Sequence, residues 1–385
     1  MRTLSVRPLL SLAVALLSAA AAQSEPGPCR LILPPELQAV PGVELNVYFD
    51  NVCLMFNPAV YTFDVTCAKG RQQAERWTFV PAETDVGSFP LQLDARDEAN
   101  QIVASATTTV RVVPPTAGQG KESSCLIIGD SLTNASYYPE QLLKRFEADG
   151  HAKLRLIGTN HPQNMSEGNR HEGYGGWTAE RFCTLFTKGP DPTNTRRQTS
   201  PFVFEENGKP TLNVKRYLAE QNAGQGPDFV VIALGCNDTF GADDSTIEAA
   251  IDRMFGYLDQ LIAQFRAARA DTNIGLVILV PPAASQDAFG ANYACGQTRW
   301  QYRRNQHRVD ERLLATYSGR EQEHLYLIPG NANLDTVHNY PTTAGPANAY
   351  SQTEVSRLAN GVHPAPPGYY QMGDSIYCWM KGLLP

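Results

Sequence analysis

Five short, mainly apolar segments that read as strands, at residues 125–128, 154–157, 229–234, 274–280 and 325–328, are separated by segments of helical apolar spacing. Those segments cover residues 140–148, 179–185, 212–219, 247–268 and 300–316, and a last one covers 369–381. Apolar runs this short suit strands buried on both faces. Strands that alternate with helices pair in parallel through right-handed crossovers. From residue 124 to 385 the order therefore predicts an α/β domain, a doubly wound parallel sheet with helices on both faces. Such sheets bind ligands outside the carboxyl ends of their strands.

Before that domain the period changes. Val43-Glu44-Leu45-Asn46-Val47-Tyr48-Phe49, Tyr61-Thr62-Phe63-Asp64-Val65 and Phe89-Pro90-Leu91-Gln92-Leu93-Asp94 alternate apolar and polar residues. Period two reads as strands with one buried face, so residues 25–114 are expected to form a small all-β sandwich. Pro114-Pro115-Thr116-Ala117-Gly118-Gln119-Gly120 is rich in chain breakers, and 115–123 reads as a linker. At the N-terminus, Arg2 and Arg7, an apolar stretch at 9–17 and Ala20-Ala21-Ala22 have the form of a secretory signal over residues 1–22. The expected localisation is secreted or periplasmic, without a membrane span after cleavage. All eight cysteines lie beyond residue 22, and export permits disulfides. Cys53 with Cys67, or Cys29 with either, are open pairings. No Cys-x-x-Cys pattern points to a metal, and no organic cofactor is implied. The formal net charge of −7, with no basic run, argues against nucleic acid as a partner.

Chemistry-bearing residues follow the apolar runs. Gly129-Asp130-Ser131-Leu132 places a serine hydroxyl just after the first run. Gly173-Tyr174-Gly175-Gly176-Trp177 comes next, then Gly235-Cys236-Asn237-Asp238 after the third run. Asn360-Gly361-Val362-His363-Pro364 lies near the C-terminus, with Gly368-Tyr369 just beyond. These four blocks, in this order, resemble those of the SGNH/GDSL hydrolases. The resemblance implies a flavodoxin-like fold over residues 124–385. It also implies a nucleophile, Ser131, a general base, His363, and an oxyanion hole made by the backbone N–H groups of Ser131 and Gly176 and the side-chain amide of Asn237. A serine needs a base to take its proton, and a tetrahedral oxyanion needs fixed donors. Separately, Trp77-Thr78-Phe79-Val80-Pro81, Asp85-Val86-Gly87, Leu91 and Asp97 resemble bacterial immunoglobulin-like modules.

The chain departs from the family pattern at Asn360, where an aspartate usually precedes the base by three residues. Asn360, or a backbone carbonyl, would then orient His363 in a Ser–His dyad. The alternatives are another carboxylate, such as Asp335, or a chain without activity. Asp335-Thr336-Val337-His338 repeats the Asp-x-x-His spacing, but His338 is not followed by proline and a Gly-Tyr helix start. Asp130, Trp177, Phe289, Asn292 and Arg299 are candidate substrate contacts, the last three in a long loop expected over 281–299. The reading is an exported serine esterase that takes short acyl groups, acetyl first, from an acylated carbohydrate. A lipase, lysophospholipase or thioesterase, and a non-catalytic glycan-binding protein, are the alternatives.

Overall fold

The computed structural model describes residues 29–55 and 60–385. The expected secretory signal lies outside the described residues.

The N-terminal region is built from two small sheets and a two-stranded antiparallel pair, Arg30–Leu31 with Cys53–Leu54. One runs in the order Glu36–Ala39, Ile102–Val112, Gly87–Arg96, Thr62–Cys67, and the other in the order Leu45–Tyr48, Arg76–Phe79, Arg71–Gln72. Their apolar faces meet in one core that includes Leu37, Val47, Trp77, Leu91, Leu93 and Val110. Of the cysteine pairings left open, the structure brings Cys29 and Cys53 into hydrogen-bond contact as free thiols, in a cluster apart from Cys67.

The second region is a five-stranded parallel sheet, with a sixth, two-residue strand (Glu172–Gly173) paired parallel to the carboxyl end of the strand that ends at Gly129. Its strands are β1 (Glu122–Gly129), β2 (Lys153–Ile157), β3 (Phe229–Ala233), β4 (Asn273–Val277) and β5 (Leu325–Ile328). They lie in the order β2-β1-β3-β4-β5, with every pairing parallel. The helices between them are α1 (Ser131–Asn134), α2 (Tyr137–Asp149), α3 (Ala179–Thr184), α4 (Val214–Gln221), α5 (Cys236–Thr239), α6 (Ile247–Ala268), α7 (Gln286–Tyr293), α8 (Arg299–Tyr317) and α9 (Pro366–Leu383). Alternate residues of one strand serve opposite faces. Leu126 and Ile128 of β1 join a core with α3, α4, α6 and α8, while Cys125 and Ile127 join one with α2 and α9. That is why the inner strands β1, β3 and β4 read as apolar runs rather than as alternations, whereas the edge strand β2 carries the exposed Lys153 and Arg155.

Three segments differ from the sequence reading. Residues 281–299 are not one long loop, because Ser285 caps α7 through Asp287 N and the chain turns helical. Two antiparallel hairpins, Val203–Glu206 with Lys209–Leu212 and Thr342–Asn348 with Ser351–Leu358, were not anticipated. Their sequences are polar and their residues half-exposed, so no apolar period marks them.

The two regions are packed together. Ala332, from the segment after β5, belongs to the N-terminal core. Asn333 Oδ1 accepts from Asn46 N at 2.9 Å, and Asn51 Nδ2 donates to Leu334 O at 2.7 Å. Two arginines of α8 converge on Asp50, Arg303 at 2.7 Å and Arg299 at 2.8 Å. Arg303 also donates to the carbonyls of Asp50 and Cys53. Residues 115–117 are pinned by the wholly buried Lys381, which donates to Pro115 O, Ala117 O and Asp149 Oδ2. Arg303 is 6% exposed and Asp50 36%. Removing the guanidinium strands a partly desolvated carboxylate and two carbonyls. Arg303→Ala should therefore lower unfolding free energy by about 2–3 kcal/mol, less than a fully buried pair loses because water reaches Asp50. Urea denaturation of the two proteins, compared by midpoint at equal slope, checks this.

Candidate active site

Strand order reverses between β1 and β3, so their carboxyl ends diverge and leave a crevice between them. Ser131 starts α1 directly after β1, and Asn237 lies in α5 directly after β3. Close packing allows the serine turn. A Cβ at Gly129 would collide with the Thr133 side chain, so only glycine lets β1 run into α1 this tightly. His363 arrives from the far end of the chain, in the segment before α9. Its Nε2 lies 2.8 Å from Ser131 Oγ. An Nε2 that accepts the serine proton must be the unprotonated nitrogen, which places the ring hydrogen on Nδ1. Among the described residues Nδ1 has no protein partner. Burial alone lowers the His363 pKa, so the ring favours the neutral form that a base needs.

Asn360 does not touch the ring. Its Oδ1 accepts from the backbone N–H groups of Val362 and His363, at 3.0 and 2.9 Å. It thereby closes the turn that delivers His363, a task an aspartate carboxylate performs equally well. Asp335 is elsewhere engaged. It binds His338 Nδ1 at 2.9 Å and caps the N–H groups of Val337 and His338, and the His338 side chain is 75% exposed. The repeated Asp-x-x-His spacing is thus a local surface pair.

The backbone N–H groups of Ser131 and Gly176 take no protein acceptor among the described residues. Gly176 has φ +74°, a left-handed conformation, and is exposed at the tip of its turn. The Asn237 amide is engaged within the protein. Its Nδ2 donates to Asp130 Oδ2 at 3.1 Å and to Trp177 O at 3.2 Å. To bind an oxyanion, Asn237 must release one of these bonds.

The family model of GDSL-like lipases and acylhydrolases matches residues 126–376, about two thirds of the chain. The chain belongs to the GDSL-like lipase/acylhydrolase family. No curated protein matches the sequence. Among solved structures, it is similar to a family 3 carbohydrate esterase of Clostridium thermocellum, at 15% identity and a TM-score of 0.38 over 66% of this chain and 94% of that one. It is similar also to a carbohydrate acetylesterase family member from Sinorhizobium meliloti, at 15% identity and a TM-score of 0.38 over 68% and 98%. At these scores neither likeness adds to the family assignment.

Several residues expected to touch substrate are placed otherwise in this acylhydrolase. Asp130 is 1% exposed. Its Oδ1 accepts from Leu132 N at 2.9 Å, and its Oδ2 receives Asn237 and the Cys236 thiol at 2.7 Å. It is a helix cap and a clamp rather than a substrate contact, and burial raises its pKa against those hydrogen bonds. Trp177 is buried in an aromatic cluster with Tyr174 and Phe182. Phe289 is wholly buried with Tyr293 and Tyr302, because an apolar ring on α7 gains more from the core than from the loop surface. Arg299 turns to Asp50 and to Ala283 O. Asn292 is exposed, but its Oδ1 accepts from Gly361 N at 3.0 Å, which ties α7 to the histidine loop.

Two carboxylates that the sequence did not single out, Glu172 and Asp238, support the site, together with His171, which the sequence offered only as a residue bordering the pocket. Glu172, wholly buried before the Gly173–Trp177 turn, accepts from Thr159 N, Thr159 Oγ1, Tyr174 OH and Tyr217 OH. His171 accepts from Gly173 N at 3.1 Å through Nδ1 and meets Ser136 Oγ at 2.9 Å through Nε2. Burial pushes its pKa down to about 4, so it is a neutral support of the same turn. Asp238 Oδ1 accepts from Ala179 N at 3.0 Å, and burial pushes its pKa up to about 7. The position of Glu172 beside the glycine block was its only sequence signal. Among the described residues, no three His, Cys, Asp or Glu side chains converge to hold a metal ion.

Replacing Asp130 tests the clamp. In Asp130→Asn the new Nδ2 would face the Asn237 amide and the Cys236 thiol, donor against donor. The expected result is a ~10²-fold loss of kcat, the scale of one oxyanion donor, in a protein that keeps a cooperative unfolding transition. Steady-state ester hydrolysis beside thermal unfolding measures both.

Proposed function

We propose that this chain is an exported serine esterase that removes short acyl groups, acetyl above all, from a carbohydrate. The observation that carries the reading is the 2.8 Å contact between Ser131 Oγ and His363 Nε2, beside two free backbone donors. Ser131 Oγ would attack the ester carbonyl while His363 Nε2 takes its proton. The N–H groups of Ser131 and Gly176, joined by Asn237, would hold the oxyanion. The imidazolium then gives its proton to the leaving sugar hydroxyl, and water activated by the same ring releases the acid. His363 would act without a buried carboxylate, so its imidazolium is stabilised by solvent at Nδ1 and by the anionic intermediate.

The surroundings favour a sugar over a long acyl chain. The cavity that includes Gly176 has a volume of about 850 Å³ and is lined by Asn, Thr and Arg side chains beside Tyr174 and Trp177. The apolar void bordered by Asp130, Leu132 and Cys236 has only about 20 Å³. The N-terminal region, with its immunoglobulin-like sequence resemblance, serves as a packing partner that steadies α8 and the segment after β5. Export rests on the leader sequence.

Hydrolysis of p-nitrophenyl acetate, butyrate and octanoate by the wild type and Ser131→Ala tests the reading. Turnover should favour acetate and fall to background in the variant; undiminished activity in Ser131→Ala, or preference for octanoate, overturns it. The pH profile is a second check. A base whose pKa is lowered by burial stays neutral further into acid, so the acid limb of kcat/KM should fall below pH ~6.5, the value of a free imidazole. A limb above that value would show a base held by a carboxylate.

A further inference from the structure

The cavity beside Gly176 carries a charge that the hydrolytic steps do not use. Asn134 of α1, Asn160 and Gly176 line it together with Arg181, Arg196 and Arg197. Its size is within the range of pockets that hold drug-sized ligands. No carboxylate lines it, in a chain whose formal net charge is −7. The carboxylate nearest in sequence to the turn, Glu172, is wholly buried and enclosed by its four donors.

Arg197 is held in place. Its Nη1 donates to Thr159 Oγ1 at 2.7 Å and to Tyr174 OH at 2.9 Å, its Nε donates to Thr199 O at 2.9 Å, and the guanidinium lies over the Tyr174 ring. Neither Arg181 nor Arg196 makes a side-chain hydrogen bond or an ion pair within 4 Å among the described residues, although Arg181 lies near enough to Glu180 to help lower its pKa. A fixed guanidinium with its Nη2 free, beside two guanidiniums that make no hydrogen bond, matches a planar or tetrahedral oxyanion, which can accept from Nη2 of Arg197 and from the forks of Arg181 and Arg196.

We infer that this cavity is a subsite for an anionic group, a carboxylate or a sulfate, on the glycan that bears the scissile ester. The inference rests on the esterase reading, because the subsite shares Gly176 with the oxyanion hole. Anchoring a neighbouring anionic sugar would fix the acylated sugar over Ser131.

Calorimetry on Ser131→Ala tests the subsite without turnover, with trigalacturonate, a sulfated disaccharide and neutral xylotriose as probes. One or both anionic probes should bind at least roughly tenfold more tightly than xylotriose at ~0.05 M salt, and the difference should shrink at ~0.5 M as screening shortens. Which anion binds identifies the source of the charge. Adding Arg181→Gln and Arg196→Gln together should remove the preference, whereas Arg96→Gln with Arg320→Gln, the same two-charge change away from the cavity, should retain it. Equal binding of all probes, or a preference that survives loss of both arginines, overturns the inference. The two readings fail separately. Absence of p-nitrophenyl acetate hydrolysis by the wild type sinks the esterase reading, while hydrolysis with indifferent probe binding sinks the subsite alone.

Discussion

One buried carboxylate joins the two strand ends on which the site is built. Asp130 stands at the end of β1, caps the helix that begins with Ser131, and reaches across the crevice to Asn237 and Cys236 beyond β3. Burying a carboxylate is costly unless donors surround it, and here three donors from two separate segments do so. The relative placement of serine and asparagine is therefore set by one group. The same turn is supported from beneath by Glu172 and His171, which hold the Gly173–Trp177 segment by hydrogen bonds rather than by apolar packing alone.

His363 is positioned differently from a histidine in a triad. No side chain reaches its Nδ1 among the described residues, and the Asn360 amide acts on the backbone of the loop. The ring is placed by the geometry of that loop, by the Gly361 bond to Asn292 of α7, and by the contact with Ser131. An asparagine at position 360 is therefore compatible with an intact dyad, since its structural role needs only an acceptor oxygen. The N-terminal sheets bear on the same region from outside, through Asp50 on α8 and through Asn46 and Asn51 on the segment after β5.

Much of the hydrolase fold was legible in the residue order. Strands buried on both faces leave continuous apolar runs, and the predicted run at 325–328 and helix at 247–268 coincide with β5 and α6. The two hairpins were not legible, because half-exposed polar strands leave no apolar period. The loop 281–299 misled for a related reason. Its Gly, Asn and Ala residues look irregular, yet Ser285 supplies a cap and Phe289 a buried anchor. Charged and aromatic residues chosen as substrate contacts were mostly structural. Their type shows what they can bind, and only the packing shows which partner they have.

Residue order alone sets the parallel α/β architecture and the succession of the serine, glycine, asparagine and histidine blocks. Both are local in the chain, being set by the period of apolar residues and by motif position. Tertiary structure decided that His363 rather than His338 meets Ser131, that Asp130 faces inward, and that Arg181, Arg196 and Arg197 share one cavity. These relations join residues far apart in the chain. Burial and the pairing of desolvated polar groups select among them, and neither is written in local composition.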